Sequence, residues 1–540
     1  MPSLQSMKSD LFGGTTAAVV ALPLALAFGV SSGAGALAGL YGAIAVGFFA
    51  ALFGGTPSQI SGPTGPMTVV MAAVITVVGG NLGTAFLVVS LAGLIQIGFG
   101  IARVGRYIKL VPQPVVSGFM SGIGVIVIIL QLAPFLGHDS PDGTTLVKLV
   151  QFPAMLADPD GEAVILGALS FGLMWLTPRR LALLIPSSLV AIFVGTLVGY
   201  FWLSDAPVIG EIPSGLPTLH FPSLELDQVS IVVRYALVLA FLGSIDSLLT
   251  SLVADSITRQ NHDSNRELIG QGIGNTVAGL LGGIPGAGAT MRTLVNIRAG
   301  GKTRHSGMIH AIVLLAIVLV FSDLASHIPL AVLAGILLKV GLDIIDWRSL
   351  RRLNHTQPAA IIIMLSTLGI TVFVDLITAV AVGIIMASLL FVARMADSQV
   401  ESAKIAFGSD QGIDLNTDES EILDQAQGRI VLFHIEGPLS FGSARDISWL
   451  MQQRMEKDAL VVDLTDVPFI DSSATAALEE VIERLQECND AVFLFGVRPR
   501  VMAVLGKAGI PALLGKGEIC QNRLQALQAA QAYITQEVKP

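Results

Sequence analysis

Asp246 is the one acidic residue in the apolar run Leu242-Gly243-Ser244-Ile245-Asp246-Ser247-Leu248-Leu249, and Thr250 follows it by four positions. In a helix that spacing stacks both side chains on one face. A carboxylate, a hydroxyl and nearby backbone carbonyls make a hard-oxygen cage, suited to Na⁺ or to a proton. An ionised aspartate near the middle of a membrane helix costs about 2.5–3.5 kcal/mol on insertion scales, so it calls for a partner and marks a functional site.

Two Gly/Pro-rich segments carry a complementary chemistry. The first is Gly62-Pro63-Thr64-Gly65-Pro66-Met67-Thr68, and the second runs Gly283-Ile284-Pro285-Gly286-Ala287-Gly288-Ala289-Thr290-Met291-Arg292-Thr293. Their prolines cannot continue a helix backward, so each segment starts a helix part-way through the membrane. Two such N-termini aimed at a common cavity present unpaired backbone N–H groups and the positive ends of two helix dipoles, which attract an anion. Thr64 and Thr290 add hydroxyl donors at those ends, and Gly65 and Gly288 allow close backbone approach. Arg292 either adds positive potential to this site or faces a cytosolic vestibule with Arg298, Lys302 and Arg304.

The elements that position these residues are legible in hydropathy. Of 540 residues 53% are hydrophobic and only 13% charged, about half the charged share of a soluble chain. Apolar runs punctuated by Gly, Pro and charge predict about fourteen membrane segments: 11–33, 35–55, 63–79, 82–102, 112–136, 162–177, 181–203, 229–254, 267–283, 288–299, 307–322, 327–345, 358–374 and 376–395. The first of these reads as a retained span and not as a cleaved leader. Lys and Arg concentrate in alternate loops: Arg103, Arg106 and Lys109; Arg179 and Arg180; Arg259 and Arg266; Arg298, Lys302 and Arg304; Arg348, Arg351 and Arg352. The intervening loop 204–228 has no Lys or Arg but carries Asp205, Glu211, Glu225 and Asp227, and loop 137–161 has Lys148 as its one Lys or Arg. The positive-inside rule then places both termini in the cytosol. Leu52-Phe53-Gly54-Gly55-Thr56-Pro57 echoes Leu280-Leu281-Gly282-Gly283-Ile284-Pro285 just before each short segment. Seven spans per copy would invert the second copy, as in many secondary transporters.

Residues 1–396 thus read as a membrane domain, 397–427 as a linker, and 428–540 as a soluble α/β domain with strands at 429–436, 460–464 and 491–495 and helices at 444–456 and 474–488. Both cysteines, Cys488 and Cys520, lie in that last part, consistent with a reducing compartment. A net charge of −9 with no basic patch argues against nucleic-acid binding. No nucleophile triad, zinc-spaced cluster, Walker loop or dinucleotide fingerprint stands out, so an ATP-driven pump is disfavoured and the chain reads as a transporter, not an enzyme.

On Asp10-Leu11-Phe12-Gly13-Gly14, Gly62 to Met67, Ile245 to Thr250 and Gly286 to Met291, the sequence resembles the SulP family of anion transporters (SLC family 26 in human), most of all its cyanobacterial bicarbonate-transporting members. Val467-Pro468-Phe469-Ile470-Asp471-Ser472-Ser473-Ala474 looks like the signature of the STAS domain that ends such chains. The resemblance implies a core-and-gate inverted repeat, a homodimer in an inner (plasma) membrane surrounded by lipid, and an elevator motion. It implies an anion site at Thr64, Ala289 and Thr290 and a sodium site at Asp246, Thr250, Gly288 and Thr290. It also singles out Ser472, because the matching serine is phosphorylated in related anti-sigma-factor antagonists; a plain helix-capping role for Asp471 and Ser472 is the other reading. The leading expectation is Na⁺-coupled bicarbonate symport. Proton-coupled or exchange transport of sulfate or a dicarboxylate, a passive anion channel, and a signalling protein working through its tail are the alternatives.

Overall fold

A computed structural model describes the chain except residues 1–3, 109–110, 142–143, 179–185, 211–218, 220–227, 375, 409–412, 453–457, 515–517 and 537–540. Lys109, Arg179 and Arg180 of the cationic loops, Glu211, Glu225 and Asp227 of the acidic loop, and the starts of the seventh expected span lie outside the described residues. Helices occupy every expected span: α1 (Leu4–Ser31), α2 (Ala36–Phe53), α3 (Gly65–Val77), α4 (Leu82–Ile101), α5 (Gln113–Phe135), α6 (Gly161–Leu176), α7 (Ser187–Trp202), α8 (Val229–Thr258), α9 (Ser264–Leu280), α10 (Thr290–Arg298), α11 (Arg304–Ser326), α12 (Leu330–Ile344), α13 (Pro358–Phe373) and α14 (Leu376–Ser402). Among the described residues α1, α2, α4, α5, α8 and α14 are, by length and composition, long and apolar enough to cross a membrane alone. α3 and α10, with 13 and 9 residues, fall short of the ~20 needed.

Local chemistry sets the boundaries. Asn81, Asp160 and Asp263 cap α4, α6 and α9, each side chain accepting from first-turn N–H groups. The turn from α1 to α2 has Gly33 at φ 80° and Gly35 at φ 91°, a left-handed region that residues with a Cβ avoid.

Helix packing separates two groups. α1 to α4 pack with α8 to α11, while α5, α6 and α7 pack with α12 and α13, the division a core and a gate require. Within the first group α4 and α9 meet at bare backbone: a Cβ on Gly93 would stand 2.3 Å from Thr276 N, and one on Gly272 2.5 Å from Gly93 O. Lipid supplies no hydrophobic drive between helices, so small residues that let backbones close up do the joining.

The chain divides into two compact units, Met1–Ile385 and Met386–Pro540, the border falling within α14. In the second, five strands order β3-β4-β5-β6-β7 (Lys404–Ala406, Ile430–Glu436, Ala459–Asp466, Ala491–Phe495, Ile519–Cys520), with β3 antiparallel and the rest parallel. Alternate strand residues face two cores. Phe433, Val462 and Leu494 point toward the side of α16 (Phe441–Gln452) and α17 (Ser472–Glu487), and Leu432, Val461 and Phe493 toward α18 (Arg523–Gln536). Burial on both faces explains the near-continuous apolar strands. Part of the stretch expected as a linker is structured: β3 pairs with β4, and α15 (Thr417–Gln425) is a helix with a full Asn416/Glu419 capping box. Its acidic composition hid that helix, because capping and first-turn acids stabilise an N-terminus at the price of an apolar signal.

Candidate ion-binding site

Each broken helix is preceded by a two-residue strand, β1 (Ser61–Gly62) before α3 and β2 (Ala287–Gly288) before α10, and the two pair antiparallel with Ser61 opposite Gly288 and Gly62 opposite Ala287. Proline and glycine deny these residues a helical ladder, so their backbone groups satisfy one another across the repeat. The Ala289 N–H also donates to Ile60 O (2.8 Å), and Ile60 N–H donates to Thr293 Oγ1 (3.0 Å). The helix starts are therefore neighbours, and the first-turn N–H groups of Gly65 and Met67 and of Thr290, Met291 and Arg292 have no intrahelical acceptor.

α8 brings the carboxylate to this junction. Thr64 Oγ1 donates to Asp246 Oδ2 (2.9 Å), so the aspartate is tied to the mouth of the first half-helix. One turn later Thr250 Oγ1 donates to Gly288 O (2.9 Å) and lies 2.8 Å from Thr290 Oγ1 at the start of the second. A hydroxyl has one proton, so with Thr250's given to Gly288, Thr290 is the donor in that contact. Ser247, on the same helix, accepts from Gly288 N–H at 3.0 Å. Thr64, Asp246, Thr250, Gly288 and Thr290 thus come together, and Ala289, 8% exposed, sits between the last two. All the donor atoms of the Asp246, Thr250, Thr290 and Gly288 set are oxygens, the chemistry a hard monovalent cation requires.

The glycines are used for packing as well as access. A Cβ on Gly288 would stand 2.2 Å from Gln59 Nε2, and one on Gly65 would meet Ile344 Cδ1 of α12 at 2.6 Å. Arg292 resolves the two readings of the sequence in favour of the interior. It is 2% exposed, donates through Nη2 to Pro63 O, and lies within coulombic reach of Asp246. A vestibular position is excluded because the short α10 begins beside Pro63 and one turn cannot carry its side chain out to the surface.

A second buried carboxylate escaped the sequence reading. Glu267 of α9 accepts from the backbone N–H groups of Gly55 and Thr56 through Oε2 (2.9 Å each) and from Gln59 (2.9 Å) and Gln271 (2.8 Å) through Oε1. Ser251 Oγ donates to Gln59 Oε1 (2.9 Å), so the network reaches α8 one turn beyond Asp246. Asn275 brackets Gly286, accepting from its N–H (2.8 Å) and donating to its O (2.9 Å). The signal for this brace is Glu267 and Gln271 at i, i+4 on one face of a membrane span.

Asp246 borders a narrow cavity with Phe119, Leu242, Ile245 and Leu249. A neighbouring cavity of about 190 Å³ shares Val111, Val116, Ile245 and Leu249 and ends at His262 and Ser264. Elsewhere in the chain Ser472 is exposed at the start of α17, and Asp471 before it caps that helix, accepting from Ala474 N–H at 2.9 Å.

Residues 7–367 match the Sulfate permease family, and residues 421–525 match the STAS domain. The bicarbonate transporter BicA of Picosynechococcus sp. is 46% identical over 97% of this chain and 95% of its own length. BicA of Synechocystis sp. is likewise 46% identical, over 97% and 94%. The solved transmembrane domain of a cyanobacterial BicA is 51% identical and superimposes with a TM-score of 0.66, covering 70% of this chain and 98% of that one.

Proposed function

The chain belongs to the sulfate permease family of anion transporters, which are not enzymes, and from that premise we propose that it is a Na⁺-coupled bicarbonate symporter working by an elevator motion. Bicarbonate lies against the two half-helix N-termini at Thr64, Gly65, Ala289 and Thr290. Na⁺ lies in the oxygen cage of Asp246, Thr250, Gly288 and Thr290. The single observation that carries this reading is the pair of hydrogen bonds joining α8 to both broken helices, Thr64 to Asp246 and Thr250 to Gly288. Because Thr290 belongs to both sites and Thr64 of the anion site donates to Asp246 of the cation site, a cation that neutralises Asp246 frees the Thr64 hydroxyl proton and lowers the negative potential an anion meets. Occupancy of one site then favours the other by the same factor in each direction.

The group α1–α4 with α8–α11 carries the whole site and moves as the core against α5–α7 with α12 and α13. The cavities from Asp246 to His262 are the cytosolic exit of that path. The chain sits in the cell inner (plasma) membrane with both termini cytosolic, by its loop cations, and functions as a homodimer. Ser472, exposed on the STAS domain, is its regulatory phosphorylation site.

The test is uptake into proteoliposomes of labelled bicarbonate, sulfate and succinate, each with and without a sodium gradient. Sodium-stimulated bicarbonate uptake is expected. Sulfate or succinate uptake driven by a proton gradient with no sodium response would replace this reading by the other chemistry of the family. Thr250→Val is expected to raise the sodium concentration for half-maximal uptake about tenfold, equivalent to about 1.4 kcal/mol, while Thr250→Ser stays near the parent because it keeps the hydroxyl. A sodium titration of initial rates reads the difference, and an unchanged half-maximal concentration in Thr250→Val removes that hydroxyl from the site.

A further inference from the structure

The C-terminal domain holds a charge cluster that the transport reading does not use. His434 on β4 and Asp463 on β5 are register partners, and His434 Nδ1 lies 2.8 Å from Asp463 Oδ2. Their side chains are 10% and 1% exposed, so solvent screens this contact little. The other ring nitrogen, Nε2, faces Glu436 Oε1 and Asp466 Oδ2, each at 3.6 Å. Every packed element contributes a charge: Lys404 of β3, directly opposite His434 in register, lies 3.6 Å from Glu436; Arg498 lies 4.0 Å from Asp466; and Arg523 of α18 reaches Asp463 (3.5 Å) and Glu419 (3.3 Å). The carboxylates Glu419, Glu436, Asp463 and Asp466 outnumber the cations Lys404, Arg498 and Arg523 by one.

We propose that His434 is a proton-operated latch of the C-terminal domain, closed as the imidazolium that supplies the missing positive charge and released when it loses its proton. A neutral ring that donates from Nδ1 to Asp463 must turn the Nε2 lone pair toward two carboxylates, which repel it; a proton on Nε2 converts both contacts to attraction. The hydrogen bond to Asp463, with the nearby acids, holds the His434 pKa above its ordinary value despite burial, and the Asp463 carboxyl below the usual range. A raised histidine pKa contributes stability that is complete below the free value of about 6.5 and is lost as the pH climbs through the folded one. The latch therefore opens on the alkaline side.

Its position gives it a use. β3, the partner strand that carries Lys404, follows α14 after Ala403 alone, so loosening of the His434 end acts where the chain leaves the last membrane helix. On the bicarbonate reading proposed above, each imported anion brings base into the compartment that bathes this domain, and alkalinisation opens the latch as uptake proceeds.

Hydrogen exchange of the full-length protein in nanodiscs, followed by mass spectrometry from about pH 6 to about pH 9 and corrected for the intrinsic rate, tests the latch without any transport step. Protection in peptides covering 404–406, 430–436 and 459–466 is expected to fall roughly threefold or more across that range, a unit of pKa elevation corresponding to tenfold. His434→Gln is expected to abolish the change. A flat parent profile, or the same fall in His434→Gln, overturns the latch while leaving the transport reading intact. Asp466→Asn, at a half-exposed position, covers the case of a His434 variant that does not fold: its midpoint is expected to move to lower pH, and an unmoved midpoint counts equally against the latch.

Discussion

Asp246→Asn is expected to abolish sodium-dependent bicarbonate uptake while leaving the protein folded. The amide has the shape of the carboxyl and its oxygen still accepts from Thr64 Oγ1, so the link between α8 and the first broken helix survives. What goes is the negative charge that offsets dehydration of a cation deep in the membrane. Loss of a charged ligand is worth on the order of 3 kcal/mol, so the sodium response should fall by about a hundredfold or more. Uptake into proteoliposomes driven by an inward sodium gradient reads this, with Asp246→Glu as the charge-conserving control. Parent-like uptake with a parent-like sodium response in Asp246→Asn would remove the carboxylate from coupling. A proton-driven flux that survives without sodium in the parent, and disappears in Asp246→Asn, would instead make the same carboxylate a proton carrier.

The second large effect is expected from Gly286→Ala. A Cβ there would stand 2.6 Å from the carbonyl carbon of Gly62 and 2.9 Å from its Cα, with Asn275 bracketing the same residue through both its N–H and its O. Backbone opposes backbone, so no side chain can swing aside, and β1 must part from β2. Overpacking of this kind costs about 1–3 kcal/mol. Its consequence for transport is larger, because a shift of about 1 Å between reacting groups already costs on the order of a hundredfold where geometry matters. The measured outcome should be near-complete loss of uptake with a lowered melting temperature. Gly98→Ala is the control: nothing lies within 4 Å of a Cβ at that position of α4, and it should behave as the parent. Full uptake by Gly286→Ala would mean that the paired broken helices are not what positions the anion.

Much of this architecture was legible from residue order because the bilayer leaves few options. Backbone groups in hydrocarbon must be satisfied internally, so apolar runs of spanning length become helices, and all fourteen expected spans contain one. The Gly62–Pro66 and Gly283–Gly288 segments announced their breaks through proline and glycine, and Asp246 announced itself as a charge where charge is expensive. In the C-terminal domain β4, β5, β6 and α17 followed from apolar pattern, whereas β3, β7 and Thr417–Gln425 did not. An edge strand of three residues and a cap-driven acidic helix carry too little periodicity to be read locally.

Composition and spacing by themselves determined that this chain crosses a membrane many times, that two of its helices begin inside it, and that a carboxylate with a hydroxyl one turn away lies on the eighth. It takes the folded molecule to show that Thr64 serves Asp246 and Thr250 serves Gly288, that Arg292 crosses to Pro63, and that Glu267 braces the loop at Gly55 and Thr56. The reason is sequence separation. Hydropathy and helix periodicity act over a few turns, but these partners lie from 38 to 229 positions apart, and their meeting depends on how two inverted halves close on each other, which no local pattern encodes.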